Sequence, residues 1–147
     1  MVKFDEKTRS MWFRFSRWHR WVDRKTIGSV HLPGIYLLAL NKRSNDPVKP
    51  NDQNIIYIGE TCSKKGLVGR WKQFEKSAFR GKTGHSGGVS FYNRKKRIYK
   101  KTNLYVAAFP VQDENIALRN AYIRLMERKL LWDFIKKNGM GKLLNKE

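Results

Sequence analysis

Apolar positions change their period several times along the chain, and each change marks an element. The run GIYLLAL, Gly34 to Leu40, is continuously apolar and of strand length, and Ile55 to Ile58 is a second such run. Between them NKRSNDPVKPNDQN is a loop by its Asn, Asp and Pro content. The two runs predict an antiparallel hairpin with a long tip. Their unbroken apolar character predicts a sheet covered on both faces, because a half-solvated strand would alternate. From Gly66 the period becomes helical, with Leu67, Val68, Trp71, Phe74, Ala78 and Phe79 recurring three and four apart. GKTGHSGG then interrupts it and reads as a loop, either a plain connection or a backbone made accessible to phosphate. Leu104 to Phe109 is a third strand, stopped at Pro110. A long helix is expected from about Glu114 to Lys137, with Ile116, Ile123, Leu130, Leu131 and Phe134 on its buried side and Gly139 ending it. The expected class is α+β, a small, mainly antiparallel three-stranded sheet flanked by helices, spanning residues 31–147.

Residues 1–30 read as a basic, aromatic extension. Met11, Trp12, Phe15, Trp18 and Val22 stand at helical spacing over 5–25, interleaved with Arg14, Arg17, Arg20 and Arg24. An amphipathic helix packing its aromatic stripe on the core is the simpler expectation. An arm that contacts DNA by charge and stacking is the sharper one.

Charge narrows the partner. Thirty-two Lys and Arg against twelve Asp and Glu leave a net charge of +20, a self-repelling excess that suits a polyanion. Nucleic acid is the leading expectation, ahead of a generic basic surface or an anionic membrane. The run Asn93 to Lys101 belongs to the same picture, a solvated basic face whose Arg94, Lys95, Lys96 and Arg97 attract DNA, as does Lys72. The lone Cys62 excludes an internal disulfide, and with three histidines it excludes an ordinary zinc finger. No signal-peptide core opens the chain and no apolar run reaches membrane-spanning length, so a soluble protein of the reducing cytoplasm is expected.

Two charges stand where the periodicity wants apolar groups. Arg70 lies three after Leu67 and four before Phe74, inside the stripe of the first core helix. Glu127 lies four after Ile123, three before Leu130 and seven before Phe134. A buried lone charge is costly, so each must face a partner or a polar cleft. Either the two form a structural ion pair, or they line a site in which the guanidinium meets phosphate and the carboxylate a metal.

Gly34-Ile35-Tyr36, Tyr57-Ile58-Gly59, Arg70, Glu127 and a late asparagine, taken in order, resemble the GIY-YIG nuclease family of homing endonucleases, some restriction enzymes and the incision subunit of bacterial excision repair. The resemblance covers roughly residues 33–145. It implies a metal-dependent endonuclease that hydrolyses DNA phosphodiesters with one divalent ion, Mg2+ or Mn2+, per site. Tyr36 would be the general base on water or relay its proton, with Tyr57 orienting the nucleophile; both can project from one face of adjacent strands. Arg70 would stabilise the scissile phosphate, and Glu127 would be the sole protein ligand of the ion. Asn145, after KLL, resembles the family's supporting asparagine, with Asn138 competing for the role.

The chain departs from the family pattern twice. Tyr36 and Tyr57 are farther apart than usual, an enlarged hairpin tip. One turn after the arginine stands Phe74, where members often place a His or Tyr able to take the first tyrosine's proton. A phenol of ordinary pKa near ~10 is a weak base without such an acceptor. His85 in the glycine-rich stretch is the best replacement, Lys72 the second. Glu127-Arg128-Lys129 also fits an ExK fragment of another nuclease superfamily, but that pair belongs on a strand and here falls in mid-helix. The rival of a different class is a non-catalytic nucleic-acid-binding module whose tyrosines merely pack. For the nuclease, chain length favours a compact restriction-type or phage-type enzyme. A double-strand break then takes a homodimer on DNA or two successive nicks.

Overall fold

The computed structural model describes residues 14–94 and 101–145. Its class is α+β, with an antiparallel four-stranded sheet in the order β1-β4-β2-β3. The strands are β1 His19–Arg20, β2 Gly34–Leu40, β3 Ile55–Thr61 and β4 Leu104–Pro110; the helices are α1 Gly66–Arg80, α2 Ser86–Arg94 and α3 Ile116–Asn138. Among the described residues no helix is long and apolar enough to cross a membrane.

The unbroken apolar strands follow from a three-layer arrangement. One face of the sheet, including Tyr36, Leu38, Tyr57, Val106 and Ala108, packs on Leu67, Trp71, Phe74 and Ala78 of α1 and Phe91 of α2. The other face, including Ile35, Leu37, Ile58, Ala107 and Phe109, packs on Ile123, Met126, Leu130 and Phe134 of α3. Every residue of β2 is therefore buried. The β2–β3 pairing shifts register between Leu38 and Ala39, where Ile56 is the extra residue on β3. Beyond that shift Tyr57 stands opposite Leu38 and Gly59 opposite Tyr36, so both tyrosines share the α1 face. The helix-stop reading at Gly139 agrees with its φ of 77° and its N–H donated to the Ile135 carbonyl at 2.8 Å.

Four expectations are corrected. The sheet has a fourth strand, β1, which pairs His19 with Val106. Within 5–25, the described residues form β1 and a 3-10 turn, Trp21–Thr26, in place of a helix; Met11 and Trp12 lie outside the described residues. Trp18 joins the α3 side of the core and Trp21 the α1 side, whereas Val22 is 55% exposed. A helix with one apolar face cannot deliver two tryptophans to opposite sides of a sheet; a strand that ends at the sheet's edge and turns can. GKTGHSGG is a loop only to His85, since α2 begins at Ser86. Ile116, the first residue of α3, is 58% exposed and so does not belong to the helix's buried side.

Candidate active site

Tyr36 and Tyr57 face each other across β2 and β3 with ring centroids 5.9 Å apart and planes inclined by 40°. Gly59 makes this possible. A Cβ on it would stand 2.5 Å from both Tyr36 Cζ and Tyr57 Cε1 and 2.7 Å from Tyr36 Oη. Gly87, at the start of α2, closes the other flank, since a Cβ there would fall 2.5 Å from the Tyr57 ring. Gly87 and Gly88 are thus buried against side chains and offer no backbone to a phosphate, whereas Gly81 and Gly84 of the same stretch are exposed.

His85 is buried and held at four points. Its N–H donates to Ser77 Oγ at 3.1 Å, its carbonyl accepts from Val89 N at 2.9 Å, and its Nδ1 accepts from Gly88 N at 3.1 Å. These are the bonds of a residue capping α2, with the imidazole in the place of a capping oxygen. The fourth contact is Nε2 to Tyr36 Oη, 2.8 Å. Phe74 packs edge-on to the same imidazole, ring centroids 5.2 Å apart. Burial and the nearby positive charge of Arg70 push the His85 pKa down to about 3, so the ring is neutral at physiological pH. Since Nδ1 accepts the hydrogen bond of the Gly88 N–H, the neutral ring carries its own proton on Nε2 and donates a hydrogen bond through it to Tyr36 Oη.

Arg70 projects from α1 toward both phenols and bonds Gln73 Oε1 at 2.8 Å. Burial raises the Tyr36 pKa well above the ordinary phenol value, helped by Tyr57 and opposed by the Arg70 charge. Tyr57 is raised by burial too, lowered by Arg70, and raised again by the negative charges of Glu127 and Glu60. Tyr36 has no exposed surface and Tyr57 shows 7%, so Tyr57 is the phenol nearer to solvent.

Glu127 stands on α3, in the opposite layer, near enough for its negative charge to act on Tyr57. The Arg70–Glu127 ion pair does not form; the nearest cation to Glu127 is Arg128 at 3.9 Å, and that side chain is largely exposed. Burial, with Glu60 adding to it, raises the Glu127 pKa. A half-buried carboxylate whose ionised form is disfavoured, with a second carboxylate adding to the negative field and no closely bonded cation, is chemically suited to a hard divalent ion. Among the described residues no group of three or more His, Cys, Asp or Glu side chains could hold a metal ion. A fully protein-coordinated ion is therefore not accommodated among the described residues.

The other predicted residues fall elsewhere. Asn145 does not touch the phenols. Its Nδ2 donates to the Ile58 carbonyl at 2.7 Å and its Oδ1 accepts from Ile58 N at 3.1 Å, clasping the backbone beside Tyr57. Asn138 donates to the Asn51 carbonyl in the hairpin tip. Lys72 lies on the exposed side of α1, about 200° around the helix from Arg70, so it does not serve Tyr36. Arg94 is exposed at the end of α2, while Lys95, Lys96 and Arg97 lie outside the described residues.

Sequence reasoning missed Glu60, Gln73 and Ser77. Strand parity was the available signal for Glu60, because two residues after Ile58 it must share the face on which α3 packs. Against protein-family profiles, curated proteins and solved structures, the chain matches none.

Proposed function

We propose that the protein is a metal-dependent DNA endonuclease of GIY-YIG type, hydrolysing phosphodiester bonds at the Tyr36–Tyr57–Arg70–Glu127 cluster. The observation that carries this reading is that two phenols face each other at 5.9 Å on the sheet, with Arg70 on α1 in one layer and Glu127 on α3 in the other, both close enough to shift the Tyr57 pKa. A guanidinium, and a carboxylate whose ion-pair partner is the largely exposed Arg128 at 3.9 Å, on either side of two phenols provide a place for a phosphate and a cation together.

Each group has a role set by its surroundings. Arg70 neutralises charge building on the phosphoryl oxygens and favours the phenolate of both tyrosines. Tyr57, being nearer to solvent, meets the attacking water first and orients it. Tyr36 in its phenolate form, favoured by the Arg70 charge, takes the water's proton to become the phenol, the leaving oxygen takes a proton from solvent, and Tyr36 returns its proton to solvent by way of Tyr57. His85 does not take the Tyr36 proton, because its Nε2 is already protonated. It is instead a positioning residue that donates a hydrogen bond to Tyr36 Oη and stabilises that oxygen as its negative charge grows. Glu127, with Glu60 nearby, holds the divalent ion, which when bound supplies Lewis-acid stabilisation of the phosphoryl group.

Plasmid incubated in Mg2+, in EDTA, and in Mg2+ with Glu127→Ala tests the reading. The native chain nicks or cuts in Mg2+ alone. Glu127→Ala lowers the rate by roughly a hundredfold or more, since a metal contributes several kcal/mol to charge stabilisation, and binding keeps its salt sensitivity. Undiminished cutting by Glu127→Ala would refute the metal assignment. A native chain that binds in all conditions and cuts in none would establish the second reading, a basic nucleic-acid-binding module. The complete burial of Tyr36 favours that alternative.

A further inference from the structure

The solvent side of α1 and the 3-10 turn Trp21–Thr26 enclose a groove of about 720 Å³ whose walls carry Arg24, Lys25, Lys65, Lys72, Lys76 and Arg80. Steps of seven, four and four residues keep Lys65, Lys72, Lys76 and Arg80 on one side of the helix. At 1.5 Å per residue their stripe runs for roughly 22 Å, which matches about six phosphates of one B-form strand at 3.4 Å each. Gly69 forms part of the lining without a side chain of its own; a Cβ there would strike Lys65 Cβ at 2.4 Å.

The one carboxylate in the wall is already engaged. Glu75 accepts from Trp21 Nε1, pairs with Lys101 Nζ at 2.6 Å and lies 3.9 Å from Arg24. Arg24 is fixed in turn, its guanidinium 4.4 Å over the Trp21 ring and bonded to the Trp21 carbonyl at 3.0 Å. Lys25, Lys65, Lys72, Lys76 and Arg80 are exposed and have no ion-pair partner among the described residues. Five unneutralised cations crowded on one groove repel each other and are relieved by a continuous polyanion. Arg70 stands about a third of a turn around α1 from this stripe.

We propose that this groove binds the phosphate backbone of duplex DNA flanking the cluster at Tyr57, positioning the duplex for cleavage; the choice of duplex rests on the nuclease reading above. The residues are exposed and lie on α1 and the adjoining turn, so they contribute to affinity and not to the chemical step.

The test is the salt dependence of binding to a labelled duplex in EDTA, where no cutting occurs. The protein variants are the native chain, a groove triple (Lys72→Gln, Lys76→Gln, Arg80→Gln) and an equal-charge control (Lys136→Gln, Lys137→Gln, Lys142→Gln). The groove triple is expected to bind at least tenfold more weakly and to flatten the slope of log K against log [NaCl] by about 2 to 3, near 0.9 per lost phosphate contact. The control is expected to change the slope by less than about 1. Equal losses in both triples would reduce the effect to net charge and overturn the proposal. A loss seen with a single strand and not with the duplex would overturn the duplex assignment. A native chain that never cuts plasmid while the groove triple still loses duplex binding sinks the nuclease and spares the groove. Cutting by the native chain with an unchanged slope in the triple does the reverse.

Discussion

At the scale of single residues, His85 carries the most testable consequence. A histidine whose pKa falls from 6.5 unfolded to about 3 folded binds its proton more readily in the unfolded chain over the interval between those values. Its stabilising contribution is therefore whole above about pH 6.5 and is lost as the pH falls toward 3, at up to about 1.4 kcal/mol per pH unit. Denaturant melts of the native chain and His85→Gln at pH 7, 6, 5 and 4 are expected to show the native chain ahead at pH 7 and the gap closing with acid. A gap constant with pH would mean that the buried ring does not stay neutral. The nitrogen shifts of the imidazole check the tautomer directly, with Nδ1 expected unprotonated and Nε2 protonated from pH 8 down to 5. The opposite assignment would restore His85 as a proton acceptor for Tyr36. Lys72 cannot take that part, since it lies two residues from Arg70 along α1 and points to the nearly opposite side of the helix.

At the scale of elements, the tail and the strand it grips belong together. Strand β3 is the free edge of the sheet, and Leu144 N donates to the Ile56 carbonyl at 2.7 Å while Asn145 clasps Ile58 on both its backbone groups. An edge closed in this way holds Tyr57 at a fixed depth beside Tyr36. Asn145→Ala is expected to cost about 1–3 kcal/mol, two bonds of roughly 1 kcal/mol each with some replacement by water, and to speed exchange of the Ile58 amide. Asn145→Asp keeps an acceptor for that amide and is expected to leave its exchange slower than in the alanine variant; equal exchange in both would remove the clasp from the explanation. The element pattern also decides what could be read from the chain. β2, β3 and β4 are apolar runs of strand length and α1 and α3 repeat a helical period, and Arg70 and Glu127 stand out because they break that period. β1 has two residues and no period at all, and the apolar spacing of Phe15, Trp18 and Val22 imitates a helix while Trp18 and Trp21 serve opposite faces of the sheet. Helix α2 was hidden behind Ser86-Gly87-Gly88, where glycines chosen for close approach to Tyr57 and Ser77 look like loop residues. Gln73 and Ser77 give no sequence signal because their partners, Arg70 and the His85 backbone, are brought to them only by the packing of α1.

At the scale of the whole molecule, +20 charges on 147 residues set the energetic background for everything above. The described ion pairs are few against this excess of cations, and Arg20–Asp23 and Lys129–Asp133, with both partners well exposed, are of the kind that contributes about 0–1 kcal/mol, so the pairs do not offset the mutual repulsion. A chain dominated by repulsion gains stability when salt screens it, whereas one held by surface attraction loses stability. The melting temperature is therefore expected to rise by several degrees between 20 mM and 500 mM NaCl, as the Debye length shrinks from about 20 Å to about 4 Å. Duplex DNA should raise it further at low salt, because binding to the folded state alone stabilises that state, and the increment should fade as salt weakens binding. The two effects oppose each other along the same axis: salt alone raises the melting temperature, and salt in the presence of DNA erodes the gain from DNA. A melting temperature that falls with salt in the free protein would mean that attraction, not repulsion, governs this surface. The excess charge would then be a structural feature of the fold and not a charge distribution awaiting a polyanion.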